Sequence, residues 1–327
     1  MTVRKRLHER IVYLRYLAIW QIAAFLPGSL AKHLPPVLGW LWCRFGASTQ
    51  RAQVTRNLAR ITPDLNDVEM QRHVKQAYVA YVRYWLDSFR LHRTNPQDLI
   101  DRVNDHGVQR ILDVTADGQG AVFITGHLGS WELGAAFCSA NNLRLLAVAE
   151  EVRPKQLFDR FVKLRADAGI TVMALRRGAD LIGPLANAMS KDGALATLLA
   201  DRDLTRSGPI VSFFGEPCRL PAGPAALALR TNRPILAAAF YVTGDRYDGV
   251  VRPVITPINN DVYDVTQQVA HEIEALIRIA PEQWHVFVPN WLCEREPNHP
   301  VVAAWKAGHD WRALAKEDYA SRRRRKR

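Results

Sequence analysis

Apolar residues in the first ninety positions recur at helical spacing. Early in the chain they alternate with arginines, and residues 64–93 carry an aromatic stripe at i, i+3, i+4, i+7 and i+11. The stripe predicts that this helix packs against the rest of the molecule. Residues 1–93 are therefore predicted to form an N-terminal helical layer. The positions that carry this pattern are Leu7, Ile11, Leu14, Leu17 and Ala18 early on, and then Tyr78, Tyr81, Val82, Trp85 and Phe89.

The pattern changes near residue 120, where short β-rich runs alternate with helical segments. The runs occupy residues 121–125, 143–149, 171–175 and 194–200. Strands separated by helices of this length indicate crossover units and a parallel sheet. We therefore predict an α/β fold with a central, mostly parallel twisted sheet flanked by helices. Residues 94–310 would be the α/β core of a single domain spanning 1–310.

Three local predictions complete this outline. A helix is expected over residues 95–112, leading into the sheet. Residues 235–242 and 249–255 are expected to form a hairpin whose turn lies near Tyr247-Asp-Gly249. The basic tail, residues 311–327, ends in a run of arginine and lysine and is expected to be disordered.

Composition points to an anionic partner. The formal net charge is +12, which suits nucleic acid, an anionic membrane surface or a phosphorylated substrate. Nine tryptophans mixed with basic residues favour the bilayer interface, so no nucleic acid is expected. The four cysteines form no CxxC pair, which favours free thiols in a reducing compartment.

The apolar stretch at residues 11–26 is interrupted by Arg15 and Gln21 and stopped by Pro27. It is shorter than the roughly 20 apolar residues that a spanning helix needs. We expect an amphipathic helix that associates with the membrane surface. A short re-entrant insertion and a buried helix remain the alternatives.

His127 and Glu132 lie where the first β-rich run gives way to a helix. On one helix they would diverge by roughly 140°. With His127 at the strand end and Glu132 in the first helical turn, both can face one cleft, because ligands bind beyond the carboxyl ends of parallel strands. Gly126, Gly129 and Gly134 permit a tight turn and close approach.

The chemistry that this junction permits is narrowed by the motifs that the chain lacks. It has no G-x-S-x-G elbow, no Walker A loop, no dinucleotide fingerprint and no H-E-x-x-H pattern. A histidine beside a carboxylate then suits a general base. The alternative is that His127 is a core histidine whose ring nitrogens are hydrogen-bonded and whose role is structural.

The string Gly-His-Leu-Gly-Ser-Trp-Glu-Leu at residues 126–133 resembles the H-x4-D/E motif of the glycerolipid and lysophospholipid acyltransferase superfamily. It is most similar to the branch that contains the late lipid A acyltransferases and the actinobacterial phosphatidylinositol mannoside acyltransferases. Further matching strings lie at residues 198–204, 213–217, 221–224 and 281–285. Residues 286–291 lack the basic run usual in the lipid A enzymes, which favours similarity to the mannoside enzymes.

This resemblance implies acyl transfer from a thioester to a hydroxyl without an acyl-enzyme. By position, His127 carries the base role and Asp201 pairs with it. Glu132 would be supportive, and Glu150 would line the acceptor site. Glu132 replaces the aspartate usual in the mannoside branch, and Asp201 replaces a glutamate. The resemblance therefore leaves open whether Asp201 or Glu132 pairs with His127.

Other residues are weaker substrate-binding candidates. Arg202 could contact a phosphate or form a salt bridge to Asp203 or Glu150. Arg176 and Arg177 could meet donor phosphates or lie in a solvated turn. Leu128, Trp131 and Phe137 could line an acyl groove or simply pack in the core. His285 is expected to be structural.

Three functions follow as hypotheses. The first is a peripheral enzyme on the cytoplasmic side of the inner (plasma) membrane, using acyl-CoA as co-substrate, a phosphatidylinositol mannoside as glycolipid acceptor, and neither metal nor cofactor. The second keeps this chemistry with lipid A or another glycolipid as acceptor, and acyl-ACP or acyl-CoA as donor. The third is a non-catalytic protein that binds anionic membranes or nucleic acid.

Overall fold

A computed structural model describes residues 3–175, 181–257 and 259–324 of the chain. Four helices come first, as the periodicity predicts. The fourth begins with an Asn66–Glu69 capping box, in which each side chain accepts a hydrogen bond from the other residue's backbone N–H. These helices are α1 (Val3–Phe25), α2 (Gly28–Phe45), α3 (Ser48–Ile61) and α4 (Asp67–Phe89).

A seven-stranded sheet forms the centre of the molecule. Its strands are β1 (Val103–His106), β2 (Val122–Thr125), β3 (Leu145–Glu150), β4 (Ile170–Leu175), β5 (Leu195–Leu199), β8 (Ile235–Thr243) and β9 (Arg246–Val251). Their spatial order is β1-β9-β8-β2-β5-β3-β4, and every neighbouring pair is parallel except β8–β9. The predicted α/β fold with a mostly parallel sheet is thus confirmed. A separate hairpin pairs β6 (Ile210–Phe213) with β7 (Glu216–Arg219).

Helices cover both faces of the sheet, so β2 is buried on both sides. The remaining helices are α5 (Pro96–Asp101), α6 (Gln109–Thr115), α7 (Trp131–Ala140), α8 (Lys155–Asp167), α9 (Ile182–Asp192), α10 (Gly223–Thr231), α11 (Val262–Ile279), α12 (Leu292–Arg295), α13 (Pro300–Lys306) and α14 (Arg312–Arg324). Val122 and Ile124 belong to one core cluster, together with residues of α3, α4 and α9–α11, whereas Phe123 belongs to another with residues of α6 and α7.

The prediction of one helix over residues 95–112 is wrong. The segment divides into α5, β1 and α6, and β1 pairs with β9 at the sheet edge. Gly107 adopts φ +109°, which is incompatible with a continuous helix. The polar edge strand β1 lacks apolar alternation, so the sequence pattern does not reveal it. The predicted hairpin is present as β8 and β9, but its turn lies at Gly244-Asp245, before Tyr247.

The disorder predicted for the basic tail is also wrong as far as residue 324. Helix α14 buries Ala315 and follows the buried Trp311. Its Asp318 carboxylate lies 2.8 Å from Nη1 of Arg219, whose side chain is almost fully buried. Buried apolar contacts and this ion pair hold α14 against the rest of the molecule. The sequence prediction of disorder rested on the terminal arginine run and did not take these contacts into account.

Exposed large apolar side chains concentrate on α1 and α2. The most exposed, Phe25 and Phe45, are each 71% exposed. Within the described ranges, no helix has both the length and the apolar character that a membrane span requires. Membrane association of this layer stays a prediction. The exposed side chains are Ile11, Leu14, Tyr16, Ile19, Ile22, Phe25, Leu30, Val37, Leu38, Trp40, Leu41 and Phe45.

Candidate active site

Two neighbouring parallel strands deliver the central pair of side chains. In the β2–β5 register Thr125 faces Leu199, and the Ala200 N–H donates to the Thr125 carbonyl at 2.9 Å. Two residues beyond each of these strand positions lie His127 and Asp201. The carboxyl ends of adjacent strands therefore bring them together.

Asp201 holds His127 at two points. One carboxylate oxygen lies 2.9 Å from the ring Nδ1, and the other accepts the His127 backbone N–H at 2.9 Å. The Trp284 indole also donates to this second oxygen, at 2.8 Å. Because a carboxylate accepts at Nδ1, the proton of neutral His127 sits on Nδ1 and the Nε2 lone pair is free. The His127 side chain is 34% exposed, whereas Asp201 is fully buried.

The turn leaves little room for a side chain at Gly126. A Cβ there would lie 3.3 Å from the Asp201 carboxylate. Gly129, two residues beyond His127, adopts φ +60°, and a Cβ there would overlap the Phe240 carbonyl at 2.1 Å. Both glycines therefore shape the loop that carries His127.

Opposing effects set the pKa values of the pair. Burial alone lowers the pKa of His127, but the adjacent Asp201 carboxylate outweighs it, so the net pKa is above the ordinary value of 6.5. Burial alone raises the pKa of Asp201, but the His127 charge and the donated hydrogen bonds lower it below 3.8. The carboxylate is thus ionised at neutral pH and favours a protonated imidazole.

Residues 281–290 close over the back of the His127 loop. The Gln283 carbonyl accepts from Gly129 N–H at 2.9 Å, and His285 N–H donates to the His127 carbonyl at 2.7 Å. The His285 ring lies 2.9 Å from the Gly129 carbonyl, and burial lowers its pKa to about 4, so it is neutral and structural. Asn290 donates to the Asp201 carbonyl at 2.9 Å. Sequence reasoning noticed the string at 281–285 but assigned no role to Trp284 or Asn290.

Glu132 does not pair with His127. Its buried carboxylate accepts hydrogen bonds from Arg165 (3.2 Å), Tyr84 (3.2 Å) and Ser88 (3.3 Å). Burial raises its pKa, and the Arg165 charge partly offsets that effect. Glu132 therefore ties α7 to α4 and α8, which resolves the open choice of carboxylate in favour of Asp201.

Comparison with known sequences identifies the family to which the chain belongs. The profile described as "Bacterial lipid A biosynthesis acyltransferase" matches residues 3–293. The chain belongs to this family. It is therefore an acyltransferase, as predicted from the resemblance.

Two similar proteins carry the same description. The phosphatidylinositol mannoside acyltransferase of Mycolicibacterium smegmatis is 29% identical over 292 residues, covering 87% of this chain and 93% of the relative. The enzyme of the same description from Mycobacterium tuberculosis is 29% identical over 282 residues, covering 85% and 88%. The predicted similarity to the mannoside enzymes is thus confirmed.

An apolar cavity of this acyltransferase adjoins the His127 loop. It lies between α6, α7 and the sheet, and Thr125, Trp131 and Phe137 line it. Leu128 does not, because it is buried in the core cluster of the opposite face, so core packing accounts for it. The Trp131 ring also carries Arg165 over it, with the guanidinium carbon 4.5 Å from the ring centroid.

The remaining predicted substrate residues are placed unevenly. Arg202 follows Asp201 directly and is close enough for its charge to oppose protonation of His127. The Asp203 carboxylate accepts from the Thr205 and Gly208 backbone N–H groups, which closes the loop after Asp201. Glu150 ends β3, but its side chain lies outside what the structure describes, as do Arg176 and Arg177. Across the described side chains, no three His, Cys, Asp or Glu residues converge as metal ligands would.

Proposed function

We propose that this acyltransferase moves a fatty acyl chain from acyl-CoA to a sugar hydroxyl of a phosphatidylinositol mannoside, with His127 as general base. The observation that carries the proposal is the His127–Asp201 pair, with Nδ1 2.9 Å from the carboxylate and Nε2 available. The mannoside acceptor is supported by the description of the relatives as phosphatidylinositol mannoside acyltransferases.

The steps follow from this arrangement. The acceptor hydroxyl gives its proton to Nε2 while its oxygen attacks the thioester carbonyl. The tetrahedral intermediate then collapses, the carbon–sulfur bond breaks, and the imidazolium returns the proton to the departing thiolate. The products are the acyl ester and free CoA, and the buried Asp201 carboxylate stabilises the transient imidazolium. No protein nucleophile takes part.

The apolar cavity beside Thr125 and Trp131, of about 50 Å³, is proposed to receive the terminal methylene groups of the acyl chain, since a whole chain would not fit in it. Its lining is almost wholly apolar. It includes Thr125, the last residue of β2, which lies two positions before His127. Ala135→Leu would narrow it, because Ala135 is buried among the lining residues. We expect this variant to prefer shorter acyl donors. An unchanged chain preference would contradict this placement.

The exposed apolar side chains of α1 and α2 are proposed to rest on the cytoplasmic side of the plasma membrane. Together with the net charge of +12, they suit a peripheral contact with anionic lipid. Such a contact would bring a lipid acceptor to the catalytic loop without a membrane span.

A lipid A precursor is the second candidate acceptor, because the family description names lipid A biosynthesis. The deciding experiment offers the enzyme labelled palmitoyl-CoA or palmitoyl-ACP with phosphatidylinositol mannoside or a lipid A precursor, and identifies products by mass. We expect product from palmitoyl-CoA and the mannoside. Product from the lipid A precursor alone would refute the proposed acceptor, and no transfer in any pairing would favour a non-catalytic binding protein.

A further inference from the structure

A second cavity, of about 400 Å³, lies between α2, α4 and the segment at 281–285. Four cationic side chains face it: Lys32 from α2, and Arg72, Lys75 and Arg83 from α4. Gly129 of the His127 loop forms part of its floor. The cavity therefore joins a cationic wall to the catalytic loop.

The positive charge of this wall is only partly compensated. Glu282 is the carboxylate among the lining residues, and it lies 3.9 Å from Nδ1 of His73. Arg83 pairs with Asp87 at 2.8 Å, and Lys32 lies 3.2 Å from the exposed Asp245. Arg72 and Lys75 form no ion pair with the described part of the chain, so they are available to an anion.

The position of the cavity matches the order of groups in a membrane glycolipid. On one side, Gly129 and His127 are two residues apart, so their Cα atoms lie at most about 7 Å from each other. On the other side, α2 exposes Leu30, Val37 and Leu38, at 53%, 54% and 43%. An apolar helix face, a cationic cavity and a catalytic base thus follow one another, as lipid tails, phosphate and sugar do in the acceptor.

We propose that this cavity binds the phosphodiester of the glycolipid acceptor, with Arg72 and Lys75 as its principal contacts. The inference rests on the function proposed above and adds how the acceptor is selected. The acceptor phosphate is favoured over the donor phosphates because it is joined directly to lipid tails, and the cavity borders the exposed apolar face. The phosphodiester would anchor the headgroup so that a sugar hydroxyl reaches Nε2 of His127.

The test compares two acceptors in neutral detergent micelles, which remove the effect of membrane charge. One is a phosphatidylinositol mannoside, and the other is a diacylglycerol mannoside without phosphate. Arg72→Gln, Lys75→Gln and the double variant are assayed against both. Lys163→Gln is the matched control, because Lys163 is 77% exposed on α8, outside the cavity.

We expect each single variant to lower kcat/KM for the phosphorylated acceptor about tenfold, through KM, since a hydrogen bond to a charged group is lost. The KM for acyl-CoA, activity toward the phosphate-free acceptor and the melting temperature should be unchanged. Equal losses on both acceptors, no loss on either, or a rise confined to the KM for acyl-CoA would each overturn the inference. If the unaltered enzyme acylates neither acceptor, both the proposed function and the phosphate site are refuted. If it acylates an acceptor but the variants give one of the three contradicting results, only the phosphate site is refuted.

Discussion

Replacing Asp201 with asparagine tests how the catalytic histidine is controlled. The carboxylate accepts from His127 Nδ1, His127 N and the Trp284 indole at 2.8–2.9 Å. An asparagine has one acceptor oxygen. If that oxygen keeps the two N–H groups on the Oδ2 side, its NH₂ faces Nδ1 and donates to it. The neutral ring then carries its proton on Nε2, where the base is needed.

The expected loss is large because the wrong tautomer cannot accept the hydroxyl proton. General-base catalysis contributes about 10²–10⁴ in rate, so kcat for Asp201→Asn should fall by that range. The remaining activity should also show a lower acid-limb pKa. In the unaltered enzyme, Asp201 raises the pKa of His127 above 6.5, so activity rises with pH along an acid limb whose midpoint lies above that value.

The assay is kcat/KM for labelled acyl transfer from pH 5 to 9. Asp203→Asn is the matched control, since Asp203 is also buried but accepts from Thr205 and Gly208 instead of His127. It should lose stability and keep the acid limb. Asp201→Glu retains the charge and should keep part of the activity. An unchanged acid limb in Asp201→Asn would refute the reasoning.

Further expectations concern stability. Glu132→Ala strands the nearly buried Arg165 and should cost about 3–5 kcal/mol in urea unfolding, while the acid limb of the folded fraction stays in place; a shifted limb would give Glu132 a direct role. Asp318→Ala removes one partner of the buried Arg219 and should lower stability by about 1–3 kcal/mol and expose α14 to limited proteolysis, whereas unchanged proteolysis would contradict the docking of this helix. The unaltered enzyme should be more stable than Asp201→Asn, and the difference should be greatest between pH 3.8 and 6.5, the ordinary pKa values of the two side chains. Below pH 6.5 the raised pKa of His127 contributes its full stabilisation, and above pH 3.8 the lowered pKa of Asp201 does so. The difference should decline as the pH rises through the folded-state pKa of the histidine, and a denaturation midpoint difference that instead grows above pH 8 would refute the ion pair.

The buried strands were predictable because their signal is local. Residues 121–125 form a continuous apolar run, and the glycines beside His127 mark its end, so the placement of His127 at a strand terminus followed from the sequence. The edge strand β1 has the polar string Val-Asn-Asp-His, and its pairing with β9 depends on residues about 140 positions away. Such a strand has no local signature.

The partner of His127 lay beyond local reasoning for the same cause. Spacing alone favoured Glu132, and only the family resemblance suggested Asp201. Their contact requires β2 and β5 to be neighbours, which depends on strand order. The Trp284 and Asn290 contacts to Asp201 likewise depend on how residues 281–290 fold back over the sheet.

The most direct test is single-turnover transfer of labelled palmitate from palmitoyl-CoA to a phosphatidylinositol mannoside by His127→Ala, beside the unaltered enzyme. Circular dichroism and melting temperature verify that the variant is folded. We expect a loss of about 10²–10⁴-fold in rate, since the base is removed. Full transfer by folded His127→Ala, or labelled palmitate bound covalently to the unaltered protein as an intermediate, would contradict direct transfer with His127 as the base.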